Sequence, residues 1–366
     1  MTEYNTIVIK IGSSTLTTKE GKLDVSNLTR LVFETAGLVK QKLKIIIVTS
    51  GAVVTGTERL NLKSKPTTVP QKQAAAAVGQ SILMRQYEKA FEKYGITVAQ
   101  VLLTRDAIAD RERYLNARNT ISTLLAENVV PIVNENDTVA VEEIKVGDND
   151  TLSALVASLI GADLLVLLTD VDGFYMETDE GVDYRVDVVE EITKEVAAAA
   201  GHPGTQLGTG GMVTKISAAR ICQDAGIPVV IAHGRTEGII EKIVNGEKVG
   251  TLIKPKAKKP ESKKRWVAHG LPIKGTVTVD AGAEAALIKN GSSLLPAGIK
   301  SVAGKFKIGE VLSIVDLSGR EIGRGLSNYS SEELTAIKGK KSKEISPILG
   351  YEGNIEAIHR DNMVIL

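Results

Sequence analysis

Thr6-Ile7-Val8-Ile9-Lys10-Ile11, followed by Gly12-Ser13-Ser14, sets the reading of the whole chain. Every residue of the run except Lys10 is β-branched, and the run halts on small residues, so it predicts a buried strand feeding a tight turn. Working outward, Leu28, Leu31, Val32, Thr35, Leu38 and Val39 repeat at helical spacing and predict an amphipathic helix over 26–43. Lys44–Thr49 is a second strand ending at Ser50-Gly51-Ala52, and the alanine-rich Gln71–Tyr94 predicts a long helix closed by Gly95. The alternation continues with strands at Ile96–Leu103, Val129–Val133, Leu164–Leu168 and Ile227–Ile231. Helices fall between them at 111–127, around Leu152–Leu159, and at 212–225. Strands that are apolar throughout, each followed by a helix, predict an α/β fold whose mostly parallel sheet is sandwiched by helices. Ligands of such sheets sit outside the carboxyl ends of the strands, where the small and polar turns fall.

The pattern breaks near Gly250. Lys254–Arg265 carries seven basic residues, one acid and two prolines, which reads as an exposed linker. Beyond it come short β-type runs at Gly275–Val279, Val311–Val315 and Met363–Leu366, with a helical piece at Ala283–Asn290. The expected organisation is a catalytic domain over 1–253, a basic linker over 254–273 and a small, mostly-β domain over 274–366. The net charge of +1 conceals −6 over residues 1–250 and +7 from 251 onward, as two regions with different tasks would have.

Composition excludes several classes. No stretch approaches the 18 apolar residues of a membrane span. The opening Met-Thr-Glu-Tyr-Asn has no basic stretch leading into an apolar signal core, and Cys222 alone cannot build a disulfide framework. A cytoplasmic protein is the expectation. Neither G-x-x-x-x-G-K-[ST] nor G-x-G-x-x-G occurs, which argues against P-loop and dinucleotide-binding domains. The four histidines lack ligand spacing, and no metal ligands are assigned.

Three features remain that can hold chemistry. Lys10 is a cation inside an apolar strand, one residue before a turn rich in backbone donors; a solvated strand tip is its bland reading. Leu207-Gly-Thr-Gly-Gly-Met-Val-Thr-Lys215 makes a glycine nest opening into a helix, with Lys215 one turn inside. Asn134-Glu-Asn-Asp137 and Gly147-Asp-Asn-Asp150 supply four carboxylates and three carboxamides within 17 residues, which as a solvated loop would mean nothing. Two lysines, glycine nests and carboxylates are the parts phosphoryl transfer requires, because that reaction is mainly positioning and charge neutralisation.

Taken in order, Lys10-Ile-Gly-Ser-Ser, Thr49-Ser-Gly-Ala-Val, Asn134–Asp137, Ile144-Lys-Val-Gly-Asp-Asn-Asp150, Leu168-Thr-Asp170 and Leu207–Met212 with Lys215 resemble the amino-acid kinase superfamily, most closely its glutamate-phosphorylating branch. The tail, through Arg265-Trp266, Gly291–Pro296 and Leu349-Gly-Tyr351, resembles a PUA domain. The resemblance implies transfer of the ATP γ-phosphoryl group to the γ-carboxylate of L-glutamate, giving L-glutamyl 5-phosphate in the first step of proline biosynthesis. It implies catalysis by Lys10 and Lys215, with Asp150 holding both. Ser50, Asp137 and Asn149 match glutamate-binding positions, joined by Gly51, Asn134 and Asp148. Lys10, Gly12, Ser13, Thr169, Asp170 and the loop Thr209, Gly210, Gly211, Met212, Val213, Thr214, Lys215 match nucleotide-binding ones. Mg²⁺ with ATP, feedback inhibition by proline and a dimeric or tetrameric assembly are further implications. The rivals are another amino-acid kinase, acting on acetylglutamate, aspartate or carbamate, and an RNA-binding factor working through the PUA-like domain.

Overall fold

The computed structural model describes residues 4–62, 64–104, 111–139, 149–178, 181–201, 211–256, 272–351 and 353–366. The chain divides into two compact units, Met1–Lys259 and Pro260–Leu366.

The first unit begins β1 (Thr6–Ile11), α1 (Ser13–Leu16), α2 (Val25–Lys40), β2 (Lys44–Thr49), α3 (Ala52–Arg59) and α4 (Val69–Glu92). It continues β3 (Val98–Leu103), α5 (Arg111–Ala126), β4 (Val130–Glu135), α6 (Asn149–Ile160) and β5 (Leu164–Thr169). Then come β6 (Phe174–Glu177), β7 (Asp183–Val186), β8 (Val188–Val189), α7 (Lys194–Ala199), α8 (Met212–Asp224), β9 (Val229–His233), α9 (Ile239–Val244) and β10 (Thr251–Ile253). Among the described residues eight strands form one sheet, ordered β3-β4-β2-β1-β5-β9-β10-β8. The strands from β3 to β9 pair in parallel, and β10 runs antiparallel to β9.

β1 is central, with Lys10 opposite Val48 on one side and Leu167 on the other. Successive strand residues point to opposite faces. Ile7, Ile9 and Ile11 therefore join the core beneath α2, α4 and α9, while Val8 and Lys10 share the face that α6 covers. Each fully buried Ile or Leu contributes about 1.5–3 kcal/mol, so the sheet is a stiff base for its carboxyl-edge turns. The helices start where local chemistry dictates. The Asp24 side chain accepts the Asn27 N–H ahead of α2, and Thr68 and Gln71 form a reciprocal capping box ahead of α4.

Two expectations need correction, and some elements were not foreseen. The strand expected at Ile96–Leu103 is the sheet edge, with Gln100 and Leu102 exposed, so it is not buried on both faces. α3 and the β6–β7 hairpin were not anticipated. The solvated-tip reading of Lys10 is wrong, because the residue is 6% exposed in a central strand.

The second unit comprises β11 (Ile273–Val279), α10 (Ala281–Asn290), β12 (Ile299–Gly304), β13 (Val311–Val315), β14 (Glu321–Leu326), α11 (Ser331–Ile337), α12 (Ser342–Leu349) and β15 (Met363–Ile365). Its sheet is ordered β12-β11-β13-β14-β15, and Val277, Leu287, Ile314, Tyr329 and Leu334 belong to its own core. Arg265-Trp266 lies outside the described residues. No described helix is long and apolar enough to cross a membrane.

Candidate active site

The turns at the carboxyl edge are laced to one another by backbone bonds. Gly12 N–H donates to Leu168 C=O at 3.0 Å, Ser50 N–H to Ile11 C=O at 3.2 Å, and Gly234 N–H to Thr169 C=O at 2.7 Å. Gly51, between β2 and α3, sits at φ +104°, where a side chain would be strained. A Cβ on Gly12 would come within 3.1 Å of the Leu168 carbonyl oxygen.

One buried carboxylate organises the centre. Asp150, the second residue of α6, is 1% exposed. Its Oδ1 lies 2.6 Å from Lys10 Nζ, and its Oδ2 lies 3.2 Å from Lys215 Nζ and 2.7 Å from Thr214 Oγ1. Lys10 comes from β1, Asp150 from α6 and Lys215 from α8, so three elements distant in sequence meet at one carboxyl group. Burial alone would raise its pKa, but the charges and hydrogen bonds of Lys10, Lys215 and Thr214 outweigh it and hold the carboxyl below its ordinary value. Two ammonium groups thus converge on one buried carboxylate, a concentration of positive charge that suits the approach of an anion.

Beside this centre runs a chain of carboxamides. Asn149 Nδ2 lies 2.8 Å from Thr49 C=O, 2.9 Å from Ser50 Oγ and 3.1 Å from Asn134 Oδ1. Asn134 Nδ2 donates in turn to Gln80 Oε1 at 2.8 Å. The fully buried Tyr87 places its hydroxyl 2.8 Å from Thr49 Oγ1, bracing the end of β2 from below. Asn149 Oδ1 and Gln80 Nε2 are buried and have no hydrogen-bond partner among the described residues. Asp137 borders a cleft of about 260 Å³ that Gln80, Ser81, Gln100 and Glu135 also line. Burial, helped by the negative charge of Glu135, pushes the Asp137 carboxyl up to about 6.

The structure thus brings together Lys10, Asp150, Thr214 and Lys215, and separately Ser50, Asn134 and Asn149. Gly51 closes the Ser50 turn, and Gly12 with Ser13 follows Ile11, the last residue of the strand that carries Lys10. Thr169 and Asp170 stand at the end of β5, their side chains bonded to each other at 2.9 Å. Gly211 caps α8 and accepts from Thr214 Oγ1, while Met212 is half-buried and Val213 exposed at the start of that helix. Asp148, Thr209 and Gly210 lie outside the described residues. Sequence reasoning missed Gln80, Thr49 and Tyr87. The available signal was a polar Gln80 and a Tyr87 hydroxyl beside Ala76, Gly79 and Leu83 on one stripe of α4.

The profile of the amino acid kinase family matches residues 5–233, and that of the PUA domain matches residues 275–349. The glutamate 5-kinase of Moorella thermoacetica is 52% identical over 370 residues, covering all of this chain and 97% of that protein. The glutamate 5-kinase of Caldanaerobacter subterraneus is 50% identical, covering 98% of this chain and 97% of its own. That of Trichormus variabilis is 51% identical, covering 98% and 99%. Among solved structures, a carbamate kinase from Giardia lamblia bound to AMP-PNP is 18% identical at a TM-score of 0.50, covering 70% of this chain and all of that one; this likeness concerns the fold alone. Full-length identity at this level, together with the order of the two domain profiles, establishes that the chain belongs to the amino acid kinase family, within its glutamate 5-kinase group, and carries a PUA domain.

Proposed function

We propose that this chain transfers the γ-phosphoryl group of ATP to the γ-carboxylate of L-glutamate, forming L-glutamyl 5-phosphate and ADP in the first step of proline biosynthesis. The observation that carries this reading is the Asp150 carboxylate shared by Lys10 and Lys215. In the reaction a γ-carboxylate oxygen of glutamate forms a bond to phosphorus as the bond to the β,γ-bridging oxygen breaks and ADP leaves. A carboxylate nucleophile has no proton to lose, so no general base is needed. The barrier is the approach of one anion to another, and positive charge held on the transferring group lowers it. Lys10 and Lys215 supply that charge, and Asp150 keeps both ammonium groups in register without leaving them unpaired before substrate arrives. Ser50, Asn134 and Asn149 orient the amino acid, and the Asp137 carboxylate receives its α-ammonium group. Gly12, Ser13, Thr169, Asp170 and Gly211–Thr214 receive the nucleotide.

Mg²⁺ belongs to this reading as the ion carried on the ATP phosphates. The described residues offer no group of three His, Cys, Asp or Glu side chains arranged to hold a metal, and Asp150 is already engaged by two lysines, so no step is routed through a protein-bound ion. The same reading includes a cytoplasmic location, feedback inhibition by proline, assembly into a dimer or tetramer, and RNA as the contact of the PUA domain. None of these enters the mechanism.

The test is ATP consumption with hydroxylamine trapping of the acyl phosphate across free glutamate, acetylglutamate, aspartate and carbamate. Hydroxamate from free glutamate is expected. Hydroxamate from acetylglutamate with none from glutamate would overturn the substrate assignment.

A further inference from the structure

α1 is a single helical turn directly after Lys10 and Gly12, and one turn has too few internal hydrogen bonds to hold its own shape. Its carbonyl end is held from outside. Arg235, in the loop between β9 and α9, donates from Nη2 to Thr17 C=O at 2.8 Å and lies 3.4 Å from Ser14 C=O. Its Nη1 lies 2.7 Å from Asp24 Oδ2. Asn27 Nδ2 donates to Thr15 C=O at 2.8 Å, and Asp24 N–H donates to Leu16 C=O at 2.8 Å. All four carbonyls from Ser14 to Thr17 therefore face a donor, and two of them face the same guanidinium.

The loop that carries Arg235 is itself fixed. Arg30 donates to Gly234 C=O and to Thr236 C=O, and it also grips Asn27 Oδ1. Gly234 N–H is bonded to Thr169 C=O, and a Cβ on Gly234 would lie 2.5 Å from Thr15 Cγ2. Only glycine lets the loop approach α1 so closely. The side chain of Arg235 is 41% exposed, so its ion pair with Asp24 alone is worth little. What a lysine cannot reproduce there is a planar fork reaching two carbonyls and a carboxylate at once.

We propose that Arg235 is a positioning residue for phosphoryl transfer: by clamping the carbonyl end of α1 it fixes the turn Gly12–Ser13, and with it the end of the strand that presents Lys10, against the bound nucleotide. The inference rests on the reading of that turn given under Proposed function. It makes the loop after β9 a brace between the end of β5 and the turn after β1, acting without touching the reacting atoms.

The experiment compares Arg235→Ala, Arg235→Lys and Asp24→Asn in the full chain. Asparagine keeps the N-cap of α2 while removing the charge that faces Arg235. In Arg235→Ala, kcat/KM for ATP is expected to fall about tenfold, and calorimetric affinity for a non-hydrolysable ATP analogue about fivefold. The glutamate KM should stay within about twofold and the unfolding midpoint within about 4 °C. Arg235→Lys should recover part of the loss, and Asp24→Asn should show a smaller loss of the same kind. Wild-type ATP kinetics in Arg235→Ala would overturn the proposal. So would an equal decline toward both substrates accompanied by a large drop in midpoint, which marks a merely structural role. Failure of the wild-type chain to give hydroxamate from glutamate would instead sink the reading on which the proposal rests.

Discussion

Asp150 and Asp137 are carboxylates of the same chain pushed in opposite directions by their surroundings, and the difference has consequences at the bench. The charges of Lys10 and Lys215 outweigh burial and hold the Asp150 carboxyl below its ordinary value, so loss of either lysine unbalances the charge of the centre. Lys215→Ala should lower kcat by on the order of 100-fold or more while raising the glutamate KM little, since the interaction removed strengthens only as charge spreads over the transferring group. Steady-state kinetics check this, and near-normal kcat would reject the role given to Lys215. Asp137, lifted to about 6 by burial and by Glu135, still titrates near neutrality. Its folded value lies above the ordinary 3.8, so in the free protein the stability linked to its protonation is complete below about pH 4 and lost as pH rises through 6. An ammonium group wants the ionised form. The glutamate KM should therefore rise as pH falls through 6, and Asp137→Asn should flatten that limb while raising KM throughout. A KM independent of pH between 5 and 7 in the wild type would remove Asp137 from substrate binding. Lys10 shows what the sequence could and could not convey here. Its strand and the turn after it were readable from Thr6–Ser14, whereas Asp150 as its partner was named only through the family resemblance, because no local pattern around Lys10 shows which face of β1 α6 covers.

Elements decide whether those side chains meet. α3 starts at the Gly51 turn, and it crosses α4 with backbones in contact. A Cβ on Gly79 would lie 1.8 Å from Ala52 C=O, and one on Gly56 would lie 1.7 Å from Ala75 C=O. In an open helical position alanine is favoured over glycine by about 1 kcal/mol. At Gly79 the obstacle is backbone that cannot swing aside, so overpacking of about 1–3 kcal/mol wins. Gly79→Ala should lower the urea midpoint and raise the glutamate KM, because separating the helices shifts the turn that carries Ser50. Gly37→Ala, in α2 with nothing within 4 Å of the new Cβ, should raise the midpoint by up to about 1 kcal/mol equivalent and leave KM alone. Equal effects at the two sites would discredit the crossing as the cause. Neither the crossing nor the edge position of β3 was legible beforehand. Val98, Ala99 and Val101 look as apolar as a central strand, and an edge is defined by a neighbour that is missing, which no local pattern records.

At the scale of the whole molecule, the sequence pattern separated a parallel α/β unit from a glycine-rich β unit because hydrophobic period and charge sign both change near Gly250. The short strands β12 and β14 escaped notice, since runs such as Glu321–Leu326 interleave Gly323, Arg324 and Gly325 with the apolar residues that fill the core. The core beneath the large sheet and the core of the small one draw on different residues, so each unit hides its own apolar surface on folding. Calorimetry of the full chain should accordingly resolve two unfolding transitions. Lys10, Asp137, Asp150 and Lys215 all belong to the first unit. ATP with Mg²⁺ and glutamate, each near 100 times its dissociation constant, should stabilise that unit by about 2.7 kcal/mol or more and raise its midpoint by roughly 5–11 °C. The other transition should stay where it was. Lys10→Ala should keep both transitions and lose most of the ligand-induced shift of the first. A single transition in the free chain, or equal displacement of both by ligand, would contradict the assignment of substrate binding to one self-contained unit.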